Sequence, residues 1–349
     1  MLEAVMSQNG KATLKDVALH AGVSVGSISR FINQDPSLSE NLYNKIETAI
    51  KELHFVPNEM ARQLARGDPS TIIIYILHEY PICPTTWLYE LPIIQSVDMY
   101  LRQTKYALQI ELNSYLDKEG SYQFVKKCVT SRRVSGILFI SAWGLDQRII
   151  KYMNDRNFPY ALIGNKNTYS NFNEVLFDNQ KAISDLVERL YKEGHRKFAF
   201  FGGYRDQQHT TERYAGFYDA TAKYELLVDR NWVKFGDYSM DSATQFMNEM
   251  LTMPELPTAV ICGNDYLAAG VTKAAAAHSR QCAFEITGFD NTIVSDILAP
   301  PIMTVAVPLA EIGEMATKIL LDNLKAGASA FKSRVLECTI IDKRIKKAV

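Results

Sequence analysis

The spacing of apolar residues divides the chain into two parts that meet near residue 70. Between residues 11 and 57, apolar positions recur at the spacing of an α-helix in three short segments. From Thr71 onward, short runs rich in β-branched and aromatic residues alternate with helix-like segments. The pattern predicts a compact helical domain followed by a larger α/β region.

Capping residues set the predicted limits of the first two helices. Thr13 and Asp16 have the spacing of a capping box, and Gly22 is expected to end the first helix. Ser24 can cap a second, short helix that continues to about Ile32. A helix, a tight turn and a second short helix are together the layout of a DNA-binding helix-turn-helix.

A third helix is predicted from a cap at Ser39 to about Leu53. The sequence VPN at 56–58 then interrupts the chain, EMARQLAR can form one or two helical turns, and GDPS is typical of a linker. The second part of the chain is therefore expected to begin close to Thr71.

Strands in the second part are predicted as buried on both faces, because most of the runs lack alternation. These runs are TIIIYIL, YALQIEL, SGILFIS, YALIG, VLFD, KFAFFGG, TAVICGN and FEITGFD. The helices expected between the later runs are Gln180–Gly194, Arg213–Tyr224, Ser242–Met250 and Asp265–Ala277. Strands that alternate with helices in this way favour an α/β fold with two doubly wound parallel sheets. The stretch HEYPICPTTWLYELP, after the first strand, is expected to be a loop.

Small polar residues dominate the second helix, and this composition fits a recognition helix. Short side chains allow the backbone to approach the major groove, while hydroxyls and an arginine can bond phosphates or base edges. A valine can contact a thymine methyl group. The residues predicted to face DNA on this basis are Ser24, Val25, Ser27, Ser29 and Arg30.

A small helical bundle with ordinary serines is the alternative interpretation of the same segment. Residues 11–67 contain seven lysines and arginines against six acidic residues, so a strongly basic surface is absent. DNA binding would then depend on helix dipoles, hydroxyl groups and dimerisation.

Bulk composition adds few constraints on function. The chain of 349 residues has a net charge of -1, and its five cysteines are scattered without a CxxC spacing. We therefore expect a soluble cytoplasmic protein with reduced thiols, without a disulfide framework, metal site or cofactor. Glycine-rich phosphate loops and nucleophile elbows are also missing, so an enzyme is not expected.

Seven sequence strings make the chain resemble the lactose/galactose repressor family of bacterial transcription regulators. In order they are TLKDVALHAGVSVGSISRFIN, ELHFVPNEMARQLA, KEGHRKFAFFGG, ERYAGFYDA, TAVICGNDYLAAGVTKAA, ITGFDN and APPIMTV. The resemblance implies a helix-turn-helix headpiece at 11–57 and a hinge helix and linker at 58–68. It further implies two core subdomains like those of periplasmic binding proteins. The first would comprise 71–176 and about 304–334, and the second 177–303 and about 335–349.

The resemblance also implies how the chain would bind DNA. The hinge helix would enter the minor groove, where Asn58 and Ala61 would approach the groove and Leu64 would wedge between base pairs. Thr13 and Asn33 would join the headpiece contacts. Gly26 replaces a side chain that usually touches DNA in relatives, and Phe55 replaces a frequent tyrosine. The operator therefore cannot be copied from a relative.

A small molecule would lie between the two subdomains, according to the same resemblance. An arginine fork and a carboxylate would hold neighbouring hydroxyls of a sugar, an aromatic ring would stack on it, and asparagines would complete the wall. By matching position these residues are Arg213, Asp290, Tyr238, Asn264 and Asn165. Trp87 and Tyr89 would contact either the ligand or the core.

These implications favour a homodimeric repressor of carbohydrate genes that responds to a sugar-like effector. One alternative is a catabolite-control regulator whose input is a phosphorylated carrier protein. Another is a regulator that responds to a purine or a sugar phosphate, which would be favoured if Arg205 and His209 both face the cleft.

Overall fold

The computed structural model describes residues 12–32, 35–55, 70–78, 84–131, 133–164, 172–278, 284–326 and 331–345. The chain divides into two compact units, residues 1–69 and residues 70–349. Within the described ranges, every helix is too short or too polar to cross a membrane.

Three short helices form the first unit: α1 (Leu14–Ala21), α2 (Val25–Ile32) and α3 (Glu40–Glu52). They pack around a small apolar centre that includes Val17 and Ile28, both fully buried. The three helices and their order agree with the prediction from apolar spacing.

The predicted start and end of α1 are confirmed in detail. The Thr13 hydroxyl accepts a hydrogen bond from the Asp16 backbone, and the Asp16 carboxylate accepts one from the Thr13 backbone at 2.7 Å. Gly22 ends the helix in the left-handed region, with φ of 64°. Ser39 precedes α3 as predicted, but its side chain makes no capping hydrogen bond.

The second unit contains two six-stranded sheets. The strands of the first sheet lie in the order β11–β5–β4–β3–β1–β2 and are all parallel. They are β1 (Thr71–His78), β2 (Ala107–Ser114), β3 (Val134–Ser141), β4 (Tyr160–Ile163), β5 (Glu174–Phe177) and β11 (Ser333–Leu336). Helices α4 (Pro84–Leu101), α5 (Lys118–Thr130), α6 (Gln147–Asn154) and α12 (Leu309–Ala326) accompany them.

The second sheet has the order β12–β10–β9–β8–β6–β7 and is parallel except for β12. Its strands are β6 (Phe198–Gly202), β7 (Val233–Phe235), β8 (Ala259–Cys262), β9 (Glu285–Asp290), β10 (Met303–Ala306) and β12 (Thr339–Asp342). Its helices are α7 (Asn179–Lys192), α8 (Gln208–Lys223), α9 (Met240–Leu251), α10 (Asp265–Ala277) and α11 (Ile293–Ile297), with a 3-10 turn at Arg230–Trp232.

The central strands are buried on both faces, as their unbroken apolar runs predicted. Every residue of β1 after Thr71 is buried, and so is every residue of β4, β6 and β8. Helices on both sides of each sheet exclude water from these strands.

The crossings between the sheets occur slightly later than the predicted boundaries. The boundary expected at residue 304 falls inside β10, which pairs with the second sheet through Ala306. The boundary expected at 335 falls inside β11, which pairs with β5 of the first sheet through Leu336. The family resemblance gave these boundaries only approximately, whereas the ladder hydrogen bonds continue to the end of each strand.

The prediction of a loop after β1 is wrong for the second half of that segment. From Pro84 it forms α4, which packs against α12 and continues past Pro92 to Leu101. Proline at the first helical position lacks only an N–H that would have no partner there, so Pro84 can begin the helix.

Candidate functional site

Four of the ten predicted DNA contacts are exposed on α2 or directly before it. Ser24, Ser29 and Arg30 are exposed, and Val25 keeps 45 % of its surface in solvent. The opposite face buries Ile28 against α1 and α3. The apolar stripe of the helix therefore orients this polar surface outward.

Two of the predicted contact residues have structural roles in this unit. Ser27 is only 8 % exposed, and its hydroxyl lies 3.0 Å from that of Ser24, whose oxygen also accepts a hydrogen bond from the Ser27 backbone. Thr13 is engaged in the capping box of α1. Ser27 thus supports the start of α2 and does not face solvent. Five other predicted site residues lie outside the described residues: Asn33, Asn58, Ala61, Leu64 and Asn165.

A cavity of about 130 Å³ lies in the second unit, at the carboxyl ends of strands from both sheets. The first sheet contributes the ends of β1, β3 and β4 together with α4, and the second sheet contributes α8 and the segments after β6, β7, β8 and β9. Ligand sites of open α/β sheets occur at this edge. Four of the predicted effector residues line the cavity: Arg213, Tyr238, Asn264 and Asp290.

Arg213 is held rigidly by its own subdomain. It is 3 % exposed, its Nε donates to Asn179 at 2.8 Å, and one terminal nitrogen donates to the Gly263 carbonyl. The other terminal nitrogen lies 3.4 Å from the Asp290 carboxylate, and the guanidinium stacks 3.7 Å above the Phe289 ring. Most of its hydrogen-bonding capacity is therefore used within the protein.

Asp290 and Tyr238 have backbone conformations that residues other than glycine rarely adopt. Their φ angles are 90° and 61°, and such strain persists only where the surroundings enforce it. Burial raises the pKa of Asp290, while the nearby Arg213 opposes this effect. The Tyr238 hydroxyl lies 2.7 Å from that of Thr210, which fixes the ring in the cavity wall.

The Tyr238 ring lies directly over a glycine backbone. A Cβ added at Gly203 would come within 1.9 Å of the ring, so this position requires glycine for the observed packing. Asn264 has a more structural role, because its side-chain oxygen caps α10 by accepting from Leu267 at 2.8 Å. Asn264 nevertheless lines the cavity.

His209 faces the cavity, but Arg205 does not. His209 bonds to the Gly164 carbonyl, and burial, reinforced by the charge of Arg213, lowers the pKa of His209 to about 4. The imidazole is therefore neutral near pH 7. Arg205 is exposed and lies over the Phe235 ring at 5.2 Å. The pair that would have favoured a phosphorylated ligand is thus not assembled.

Comparisons with known proteins agree with this architecture. Residues 13–58 match the family model described as bacterial regulatory proteins, lacI family, and residues 187–344 match the periplasmic binding protein-like domain. The repressor PurR of Yersinia pestis (strain Pestoides F) is 30 % identical over 319 residues, which is 90 % of each chain. The chain belongs to the lacI family.

Other lacI-family proteins are similar over nearly the full length. The repressor CytR of Escherichia coli (strain K12) is 27 % identical over 338 residues, 96 % of each chain. The structure of the Lac repressor dimer bound to operator and the anti-inducer ONPF has a TM-score of 0.81 and 23 % identity, with 95 % of this chain and 98 % of that chain covered. The CelR–cellobiose complex has a TM-score of 0.67 and 23 % identity, with the same coverage.

Membership of the lacI family confirms the predicted fold and class. The chain is a transcriptional regulator with a helix-turn-helix headpiece and a core of two parallel-sheet subdomains, and its relatives are repressors, not enzymes.

Several cavity residues of this lacI-family chain were not singled out from the sequence. They lie at or after the end of a strand, or on or next to a flanking helix, and they are His78, Glu90, Ser141, Trp143, Tyr204, Gln207 and Asp237. The motifs ISAWG and FGGY span the ends of β3 and β6, so the carboxyl-end rule would have found Trp143 and Tyr204. Glu90 could not be found in this way, because its segment was predicted as a loop. Tyr89, one of two aromatics noted there, lines the cavity, and Trp87 is not among the lining residues.

Proposed function

We propose that the protein is a homodimeric transcriptional repressor whose binding to operator DNA is controlled by a small effector in the core cavity. The observation that carries this proposal is the convergence of Arg213 and Asp290, from separate elements, in the wall of one buried cavity. An arginine and a carboxylate together offer donors and acceptors to neighbouring hydroxyl groups. A sugar-like effector and control of carbohydrate genes fit this chemistry.

The headpiece would supply the DNA contacts. Val25, Ser29 and Arg30 are exposed on α2 and Ser24 is exposed directly before it, and a helix of these dimensions fits the major groove. Asn33, Thr13 and the hinge residues Asn58, Ala61 and Leu64 stay predictions for the same interface. Operator DNA would place the protein in the bacterial cytoplasm.

Arg30→Ala tests the DNA-binding part of the proposal. A preferred duplex would first be selected from a random pool by the full-length protein. Loss of one bidentate base contact should weaken binding of that duplex by about tenfold or more. Arg102→Ala, which removes an exposed side chain paired with Asp98 in the core, is the matched control. Unchanged affinity for the selected duplex in Arg30→Ala would contradict the assignment of this surface.

Arg213→Ala tests the effector part. The variant should keep its affinity for the selected duplex but lose the response to whichever small molecule changes operator binding by the parent. Calorimetry should show that the variant no longer binds that small molecule. A response that depends on a phosphorylated carrier protein and not on a small molecule would favour the catabolite-control alternative.

A further inference from the structure

Glu90 is a buried acid on the wall of the cavity, and it has no partner among the residues that the structure describes. It lies on α4, retains 5 % of its surface in solvent and lines the same cavity as Arg213 and Asp290. Its carboxyl group makes no hydrogen bond or ion pair with any residue that the structure describes. Burial alone raises the pKa of Glu90 to about 8.

The other buried acids of the core are compensated. Asp265 accepts hydrogen bonds from the Thr304 hydroxyl at 2.6 Å and from the Thr292 backbone at 2.6 Å. Asp290 has Arg213 beside it. A buried polar group without a partner is costly, and such groups concentrate at binding sites. Glu90 therefore stands out as the acid whose partner is not supplied by the described protein.

The charge of the cavity limits what that partner can be. Among the described lining residues, the carboxyl groups are those of Glu90, Asp237 and Asp290, and the one guanidinium is that of Arg213. Burial acts to raise the pKa of Asp237, but hydrogen bonds from Ser239 and Ser242 outweigh it and lower that pKa. Because Arg213 is already bonded to the protein and His209 is neutral, a phosphate group would meet acids without a free cation.

The size and walls of the cavity indicate a ring. Aromatic side chains line it, and the rings of Trp143, Tyr204 and Tyr238 follow one another at centroid distances of 6.1 and 6.2 Å. An engineered cavity of about 150 Å³ is known to hold one benzene ring, so a cavity of about 130 Å³ has room for a single ring of that order. Aromatic faces pack well on the apolar face of such a ring.

We propose that Glu90 is an effector-binding residue that accepts hydrogen bonds from an unphosphorylated, polyhydroxylated ring, whose other edge faces Arg213 and Asp290. This inference rests on the proposed function. Glu90 belongs to the first-sheet subdomain and Asp290 to the second, so the ligand would connect the two. A free sugar and the ribose of a nucleoside share this chemistry.

The test measures binding of matched probes to the parent, Glu90→Gln and Glu314→Gln. Glu314 is exposed and serves as the control for loss of a carboxylate. The probes are glucose, galactose and ribose as free sugars, adenosine and cytidine as nucleosides, and glucose 6-phosphate, ribose 5-phosphate and the two nucleoside 5′-monophosphates. Calorimetry on the full-length protein gives each affinity, and circular dichroism verifies that each variant is folded.

We expect at least one unphosphorylated probe to bind the parent and Glu314→Gln equally, and Glu90→Gln at least about tenfold more weakly. Hydroxyl groups that donate to Glu90 would favour its carboxylate form, and hydrogen bonds to charged groups are the strong ones. Its phosphorylated counterpart should bind the parent more weakly than the probe itself. Whether the probe that binds is a free sugar or a nucleoside identifies the class of the ligand. Equal affinity of Glu90→Gln and parent, tighter binding of the phosphorylated probe, or no binding of any unphosphorylated probe would each overturn the inference.

The proposed function fails on a different measurement. If a probe binds through Glu90 but leaves affinity for the selected operator duplex unchanged, the inference about Glu90 stands and effector control of DNA binding does not. If another molecule changes operator binding while Glu90→Gln responds like the parent, the proposed function stands and the role of Glu90 does not.

Discussion

The clearest energetic consequence of the cavity is that Glu90→Gln should stabilise the protein in a strongly pH-dependent way. Glutamine keeps the shape of the side chain but cannot ionise. In the folded protein the pKa of Glu90 is raised from its ordinary value of 4.5 to about 8. Folding therefore favours the neutral form, and ionisation of this buried group costs stability.

The raised pKa of Glu90 determines how the free energy of unfolding changes with pH. Below about pH 4.5 the carboxyl group is neutral in the folded and unfolded chains, and Glu90 imposes no charge penalty. Between about pH 4.5 and 8 the unfolded chain ionises first, so the free energy of unfolding falls by about 1.4 kcal/mol for each pH unit. Above about pH 8 Glu90 is ionised in both the folded and the unfolded chain, and the free energy of unfolding falls no further on its account.

The magnitude is large relative to a typical domain stability. The rise in the pKa of Glu90 from 4.5 to about 8 corresponds to a loss of unfolding free energy of about 5 kcal/mol above pH 8, and of about 3 kcal/mol at pH 7. Because a typical free energy of unfolding is about 5–15 kcal/mol, either value is measurable. Relaxation of the site around the charge would reduce these values, so they are upper limits.

Urea unfolding of the parent, Glu90→Gln and Glu314→Gln at pH 5, 6, 7, 8 and 9 provides the assay. His209, Asp237, Asp290 and Arg213 face the same cavity and are unchanged in every variant. The gain in stability of Glu90→Gln over the parent should grow up to about pH 8 and then level off. A gain that is the same at every pH would refute the assignment of Glu90 as a buried, uncompensated acid.

Three glycine substitutions test other features of the structure. Gly216→Ala should destabilise the core by about 1–3 kcal/mol in thermal unfolding, because the added Cβ would lie 2.2 Å from the Gln180 carbonyl oxygen; an unchanged melting temperature would contradict the close packing of α7 on α8. Gly203→Ala should displace the Tyr238 ring and weaken effector binding in calorimetry, and unaltered affinity would show that the ring does not contact the ligand. Gly26→Ala has no contact closer than 3.6 Å, so it should stabilise α2 by about 0.5–1 kcal/mol, as followed by urea unfolding; a loss of stability would argue against a helical Gly26.

Much of the fold was predicted from capping, turn and apolar-run patterns, because these features depend on residues that are close together in the sequence. The Thr13–Asp16 box, the left-handed Gly22 and the unbroken apolar run of β1 each depend on residues close together in sequence. The prediction of two doubly wound parallel sheets followed from the alternation of such runs with helices.

The site was predicted less completely because its parts are brought together by the fold. Arg213 and Asp290 were found through family motifs, whereas Glu90 lies in a segment whose prolines hid a helix. Pro84 begins that helix and Pro92 lies within it, so local propensity opposed what packing against α12 stabilises. The burial of Ser27 was hidden for a related reason, since a hydroxyl that bonds to the capping Ser24 and one that faces DNA have the same sequence signature.

Glu90 and Asp290 lie on the two sides of the cavity, and their positions indicate how ligand binding would change the relative arrangement of the two subdomains. Glu90 extends from α4, which packs against α12 in the first subdomain, and Asp290 is the last residue of β9 in the second. The chain crosses between the sheets after β5, β10 and β11, so those short segments are where the subdomains can move relative to each other. A ligand shifts such an equilibrium only through contacts that differ between the states. A ring bound between Glu90 and Asp290 would supply such a difference if the two acids were close enough to share it in only one arrangement of the subdomains.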